Sequence, residues 1–319
     1  MGIFNSDYSK PGKGVDETGA GSEGIVLFFE IFLRKFWKLI QVNLLFCVAN
    51  IPVFLILLYL TGTFSNAVLS TFPNQVAGIV GLSAPDFDNA EFLMIYRAID
   101  IGVRLAVSIL FTVFWGSGPA YAAMHYVLRN YSREEHSFIL SDFWDAIKDN
   151  FVQSLLVFVI DLAFMFLFFY GIYFYSTQSS ILRFAKYLVY CLFAFYTITH
   201  LFIYPLMVRY RLKFTQLLRN SALFAIASLP YSILVIVILA AFTLGLWYVG
   251  FFMMSTTALM VFLAIYVLAA VILLYSLCGF IVSFNAERQI RRHLDEKADI
   301  EEKAVFENDN KPTNPRKLY

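Results

Sequence analysis

The chain has 319 residues, of which 60% are hydrophobic and only 15% charged, and its mean hydropathy is +0.69. A soluble domain of this length needs more charge at its surface, so the composition excludes an ordinary globular protein. The formal net charge of +1 gives no whole-chain basis for binding nucleic acid.

The apolar residues, among them 35 Phe and 19 Tyr, lie in long blocks and not in short alternating runs. That pattern predicts helices crossing a membrane and not an outer-membrane barrel. Cys47, Cys191 and Cys278 each fall inside an apolar block, where the expected role is that of a small apolar residue. No CxxC or Cys/His cluster is present, so neither a metal nor a cofactor is expected.

Residues 1–24 are polar and Gly-rich and lack the apolar core of a signal peptide. They are expected to be a disordered cytoplasmic terminus. The opening Met-Gly-x-x-x-Ser fits the myristoylation pattern, which is short and often met by chance. From Ile25 to Lys38, Glu30, Arg34, Lys35 and Lys38 recur at helical spacing against Phe and Leu. This reads as an interfacial helix feeding the first span, or as the first turns of that span.

A span needs about 20 apolar residues to cross roughly 30 Å of hydrocarbon. Six blocks qualify: Leu39–Leu60, Ile99–Tyr121, Phe151–Tyr175, Tyr187–Val208, Ala222–Trp247 and Thr256–Val282. Pro52 and Pro230 fall inside spans, where neighbouring helices satisfy the freed carbonyls. The expected fold is therefore an all-α membrane protein of six transmembrane helices with interfacial helices on the cytoplasmic side. Residues 25–290 form one membrane domain, and a charged, partly disordered tail covers 291–319.

The connections set the expected orientation. Arg129, Arg133 and Lys148 lie between spans two and three; Arg209, Arg211, Lys213 and Arg219 lie between four and five; Arg288, Arg291 and Arg292 follow span six. The positive-inside rule puts these and both termini in the cytoplasm, outvoting Arg183 and Lys186 between spans three and four. The chain is thus expected in the plasma membrane. The opposite loop, Thr61–Tyr96, contains no Lys or Arg but has Asp86, Asp88 and Glu91. It is long for a structureless connection and is expected to hold short helices.

Three segments resemble one another: FWKLIQVN at Phe36–Asn43, FWDAIKDN at Phe143–Asn150 and KFTQLLRN at Lys213–Asn220. Aligned on Asn43, Asn150 and Asn220, they place the aromatics Trp37, Trp144 and Phe214 six residues earlier. Each precedes a long apolar span. The expectation is three parallel helix-hairpin repeats, about 25–130, 138–211 and 212–290, with the aromatics anchoring at headgroup level.

The stretch Gly118-Pro119-Ala120-x-Ala122-Ala123, followed by Val127-Leu128-Arg129-Asn130, Arg133-Glu134-Glu135-His136, Phe143-Trp144-Asp145 and Asn150, resembles the YesL-like family of bacterial polytopic membrane proteins. Tyr204-Pro205-Leu206-Met207-Val208-Arg209-Tyr210 and Leu217-Leu218-Arg219-Asn220-Ser221-Ala222 are similar to a second signature of that family. The start, from Lys10 through Leu45, looks like its clostridial members. The family's domain is classed as of unknown function, and its members are often encoded beside carbohydrate ABC transporters. The resemblance therefore implies an accessory role in oligosaccharide uptake or sensing, with permease subunits as partners. The long Thr61–Tyr96 loop departs from the shorter members.

Ionisable residues deep in spans are the chemical leads, since each costs roughly 2.5–3.5 kcal/mol at a helix centre on insertion scales. Asp161 in span three and His200 in span four fall at similar depth on neighbouring helices, which predicts a hydrogen-bonded pair. It reads either as a clasp between two helices or as a relay or substrate contact. Asp100 and Arg104, at i and i+4, predict an intrahelical pair at the outer end of span two. Gly116-Ser117-Gly118-Pro119 predicts a kink and a close helix approach, with neither a nucleophile elbow nor a Walker loop. His125, His136, Glu134 and Glu135 lack metal-site spacing, and the Asn130-Tyr131-Ser132 sequon is expected in the cytoplasm.

These features weigh towards a non-enzymatic accessory or regulatory membrane protein. The alternative is a small-solute transporter or channel lined by Asp161, His200, Asn50, Ser108 and Ser154. Besides the bilayer and permease subunits, a homo-oligomer is the other association considered.

Overall fold

Long apolar runs in a lipid setting leave each backbone N–H and C=O only its own helix for a partner. The computed structural model, which describes residues 24–68, 72–179, 181–245 and 256–295, is accordingly helical over most of those residues and has no strand among them. The helices are α1 (Ile25–Ala49), α2 (Ile51–Val68), α3 (Phe72–Val80), α4 (Ala90–Trp115), α5 (Pro119–Ser132), α6 (Ile139–Thr177), α7 (Ala185–Arg209), α8 (Phe214–Ala227), α9 (Leu229–Ala240), α10 (Thr256–Ala269) and α11 (Tyr275–Ile290). Wide π-turns extend α9 (Ala241–Gly245), join α10 to α11 (Ala270–Leu274) and extend α11 (Arg291–Asp295).

Among the described residues, Ala90–Trp115, Ile139–Thr177, Ile181–Arg209 and Val261–Leu294 are each long and apolar enough to cross a membrane. Two bent pairs pass the same test together: Ile25–Ala49 with Ile51–Gly62, bent by 64°, and Phe214–Ala227 with Leu229–Leu244, bent by 93°. The count is four spans, or six when each pair is one span. The protein is an all-α membrane protein.

The first pair corrects the expected start of span one. The chain does not change direction near Leu39; α1 runs on to Ala49 and breaks at Asn50. Pro52 explains the position, because its ring has no N–H to give and crowds the carbonyl four residues back. The second pair breaks at Ser228, two residues before Pro230. The pairs match position for position: Lys35, Leu39, Asn43, Phe46, Asn50 and Pro52 in one, and Lys213, Leu217, Ser221, Phe224, Ser228 and Pro230 in the other. Leu39, Asn43, Leu217 and Ser221 are all fully buried. The break thus aligns Asn43 with Ser221, one residue away from the register that matched it to Asn220.

Helix α6 has no proline and is continuous for 39 residues, roughly 58 Å at 1.5 Å per residue. The threefold repeat expected from the sequence is, in the backbone, a likeness between two bent pairs. In α6 the segment around Trp144 is continuous with the span that follows.

The core gathers on α5, where 11 of 14 residues are buried. Met124, Val127 and Leu128 pack with Phe46 of α1, Phe202 of α7 and Phe280 of α11. Gly279 admits α11 to this contact: a Cβ there would lie 2.9 Å from both Leu128 Cδ1 and Met124 Cε. In the expected outer loop, α2 continues to Val68 and α3 folds back on the start of α4, burying Val76 and Ala77 against Phe92 and Ile99. Most of the expected terminal segments, 1–23 and 296–319, and the Trp247 end of span five lie outside the described residues.

Candidate functional site

The expected span Ile99–Tyr121 is two helices. It begins earlier, at Ala90, and ends at Trp115, because Gly116 and Gly118 both adopt positive φ, 79° and 78°. That backbone is open to glycine and costly for other residues. Pro119 then starts α5 at its first turn, where a missing N–H is harmless. The kink predicted at Gly116-Ser117-Gly118-Pro119 is therefore a full break, and Gly118 also brings α5 close to α6: a Cβ there would stand 3.4 Å from Phe158 Cβ.

The break aims one stripe of α5, Tyr121, His125 and Arg129, at α7, whose facing stripe is Tyr196, His200 and Tyr204. Both stripes follow the i, i+4, i+8 spacing of one helix face. The Gly118 N–H, freed by the break, donates to Tyr204 Oη at 3.2 Å, and Tyr121 Oη donates to the Val113 carbonyl at 3.1 Å. The Tyr121 and Tyr204 rings meet edge to face, 4.9 Å apart.

Asp161, fully buried on α6, reaches this stripe. Its Oδ2 lies 3.1 Å from His200 Nε2, and its Oδ1 accepts the Tyr196 hydroxyl. The structure thus brings Asp161 and His200 together and adds Tyr196 as a third member. The His200 ring sits 5.4 Å from that of Tyr204, and His125, beyond it, holds Ser283 Oγ through Nδ1 at 2.7 Å. His125 Nε2 and Ser117 Oγ are buried without a hydrogen-bond partner. Two hydrogen-bonded segments, Tyr196–Asp161–His200 and His125–Ser283, are therefore separated by aromatic rings. Between the two, no hydrogen bond joins His200 to His125 among the described residues.

The other end of α5 belongs to cations, and this end of the bundle is called the basic end below. Arg129 donates to the Val208 carbonyl at 2.8 Å, in the last turn of α7, and to Asn130 Oδ1 at 3.0 Å. A cation at a helix C-terminus is favourable there. Burial pushes the Arg129 pKa down from its ordinary value. Nearby, the buried Glu287 carboxylate of α11 takes Arg209 Nη1 at 2.6 Å, Arg291 Nε at 3.1 Å and Arg133 Nε at 3.7 Å. Three helix ends are tied to one acid. Arg34 of α1 pairs with Glu134 in the link after α5.

Beside this knot lies an open polar cleft of about 780 Å³ between α5, α6 and the α7–α8 link. Asp145 and Asp149 face Arg209, Arg211 and Lys213 across it. Asp142, also on its wall, is committed to the start of α6, accepting from Ser137 Oγ at 2.6 Å and the Phe138 N–H at 2.9 Å.

The remaining predicted residues scatter. Asp100 and Arg104 pair at 2.7 Å on α4. Asn43 bridges helices: its Nδ2 donates to the Ala270 and Val271 carbonyls at 2.8 and 2.7 Å, and its Oδ1 accepts from the Ser276 N–H at 2.8 Å. It thereby serves the groups that the π-turn at Ala270–Leu274 leaves unpaired. Asn150 only donates to Ala146 of its own helix, at 3.0 Å, and Asn220 is half-buried. Trp37 is 74% exposed and Trp144 44%, whereas Phe214 is partly buried against the core. Among the described residues, no three His, Cys, Asp or Glu side chains group as metal ligands.

Glu287, Tyr196 and Ser283 were not singled out by the sequence. Tyr196 was within reach, since Tyr196, His200 and Tyr204 share one face by spacing alone. Glu287 hides in a charge-mixed tail whose only local signal is its i, i+4 relation to Arg291.

Residues 89–172, from the start of α4 through most of α6, match a family model described as a protein of unknown function, DUF624. Over those residues the chain is similar to the DUF624 family. No curated protein and no solved structure matches it. The DUF624 segment contains the Gly116–Pro119 break, α5 and Asp161, while His200 and Glu287 lie beyond it.

Proposed function

We propose that this protein is a non-catalytic plasma-membrane partner of a carbohydrate, specifically oligosaccharide, ABC transport system. In this reading it docks its basic end on the permease subunits, with that end and both termini in the cytoplasm. The observation that supports it most is the cleft of about 780 Å³ at the basic end. It is open and polar, it alternates acids with bases, and it is framed by helices fixed through Glu287 and Arg129. Such a surface suits a helical segment of a second protein better than a small apolar ligand. The carbohydrate system follows from the family resemblance, and the inward orientation from the positive-inside rule.

The test is purification from the native membrane in mild detergent. Permease subunits are expected to co-purify in stoichiometric amount with the natural chain and to be lost with Asp149→Lys or Arg211→Glu, which reverse exposed charges on opposite walls. Recovery unaffected by both reversals, or no permease subunit at all, overturns the docking.

A second reading, a small-solute transporter or channel, is favoured by the buried Tyr196–Asp161–His200 segment and the unpartnered His125 Nε2 and Ser117 Oγ. It predicts that Asp161→Asn abolishes solute flux in proteoliposomes while the protein stays folded. The docking reading predicts that Asp161→Asn leaves co-purification unchanged.

A further inference from the structure

A second recess lies across the bundle from the cleft. It is an apolar groove of about 400 Å³ between α1, α9 and α11, walled by Phe28, Phe32, Leu234, Ile238, Phe242 and Ile281. From Tyr231 to Phe242 on one wall, and from Leu277 to Arg288 on the other, it runs roughly 16 Å at the helical rise. One end is apolar to the last residue. The other opens beside Arg288 and continues into a polar recess of about 450 Å³ formed by Ser132, Glu287, Arg288, Arg291 and Arg292.

Among the described residues, the charges at this mouth do not cancel. Glu287, the acid there, is already held by Arg209, Arg291 and Arg133. Arg292 is exposed and, among the described residues, donates only to the neutral Tyr231 hydroxyl, at 3.3 Å. Arg288 is exposed and makes no ion pair among the described residues; its guanidinium lies over Gly24, where a Cβ would come within 3.3 Å of Nη1. Inside the groove, the Gln289 side-chain oxygen is buried with no hydrogen-bond partner. An amide can present either its oxygen or its nitrogen at such a place. A long apolar slot with a cationic mouth and one unsatisfied amide has the polarity of one amphiphile in reverse.

We propose that this groove is a binding site for an anionic phospholipid, with an acyl chain along α9 and α11 and the phosphate between Arg288 and Arg292. Bulk lipid wets any apolar surface; the two arginines make this site discriminate by charge. Each basic side chain near a lipid phosphate changes affinity by about fivefold, so phosphatidylglycerol is preferred to phosphatidylcholine by more than tenfold when both contribute.

The experiment is native mass spectrometry of the full chain in detergent. Dioleoyl phosphatidylglycerol and dioleoyl phosphatidylcholine are supplied at equal concentration. A retained phosphatidylglycerol adduct is expected. It should weaken about fivefold in Arg288→Gln and further in Arg288→Gln with Arg292→Gln. Ile238→Trp, which fills the slot and leaves the charges alone, should remove it as well. Each variant is compared at equal monodispersity by size exclusion, and both arginines are exposed, so folding does not depend on them. Equal retention of the two lipids overturns the proposal, as does an adduct indifferent to the arginine changes. Displacement of the adduct by millimolar inorganic phosphate, or its survival in Ile238→Trp, shows a free-anion site and overturns the lipid assignment.

Discussion

Two buried carboxylates, Asp161 and Glu287, sit at opposite ends of one chemical scale. Asp161 is 0% exposed and Glu287 4%. Asp161 is held by a hydroxyl and an imidazole within two spans, while Glu287 is held by three guanidinium groups where three helices end. Where apolar helices surround a carboxyl, neighbours able to share a proton suffice. Where helices end, full charges can be paired with one another and can join elements that have no apolar face in common. The contrast predicts that the protein is more sensitive to losing the acid at the basic end than the one in the spans.

Glu287→Ala should therefore have the largest effect. It removes the acid from its pair with Arg209, whose side chain is only 10% exposed, and breaking a buried pair from one side costs about 3–5 kcal/mol. Thermal unfolding in detergent, followed by intrinsic fluorescence, should show a larger drop for Glu287→Ala than for any Asp161 variant. The opposite order would place the main fastening of the bundle inside the spans.

Asp161→Ala should come second. It removes two hydrogen bonds at once, and bonds between helices in a membrane average about 0.6 kcal/mol with a ceiling near 1.7, so a loss of about 1–2 kcal/mol is expected. Asp161→Asn keeps an oxygen for the Tyr196 hydroxyl and an amide facing His200, and should cost about half as much. If Asp161→Asn unfolds the protein as fully as Asp161→Ala, then hydrogen bonding alone does not account for the site.

Asn43→Ala sharpens the comparison from another side. Asn43 is fully buried and makes three bonds to the strand of backbone around a π-turn, whereas Asn150 makes one bond within its own helix. The first substitution should cost about 1–2 kcal/mol and Asn150→Ala only a few tenths. Equal effects would mean that the two asparagines do play one role, as their alignment in the sequence suggests.

That pair also marks where sequence is legible and where it is not. Hydropathy blocks locate spans because the bilayer imposes length and composition on each helix separately. The Asp161–His200 pair was readable because both residues are anomalous in apolar runs and their depths follow from counting. Direction changes inside a block were legible only in part: the glycines and proline at Gly116–Pro119 announced a kink, although hydropathy alone carries that helix to Tyr121. Pro52 and Pro230 lie in apolar stretches that look continuous, and no turn was read there. Asn43 meets backbone more than 200 residues away, and Glu287 meets Arg209, 78 residues away, and Arg133, further still; no local period encodes such meetings. The asparagine register misled for the same reason: it matched letters near the break, while the buried face is fixed by the break itself.

Arg291→Ala should have the smallest effect, and it tests how the knot around Glu287 is built. The Arg291 side chain is 49% exposed, against 10% for Arg209, although their distances to Glu287 are 3.1 and 2.6 Å. An exposed pair on one helix is worth about 0.3–0.5 kcal/mol, and it is screened by salt. Removing Arg291 leaves Glu287 with Arg209 and Arg133, so the acid stays neutralised and no buried charge is stranded. The expected change in unfolding temperature is therefore small, and smaller still in added salt, while Arg209→Ala approaches Glu287→Ala and holds its effect as salt rises. Should Arg291→Ala match Glu287→Ala instead, the knot depends on its full set of three arginines, and the exposed rim contributes as much as the buried centre.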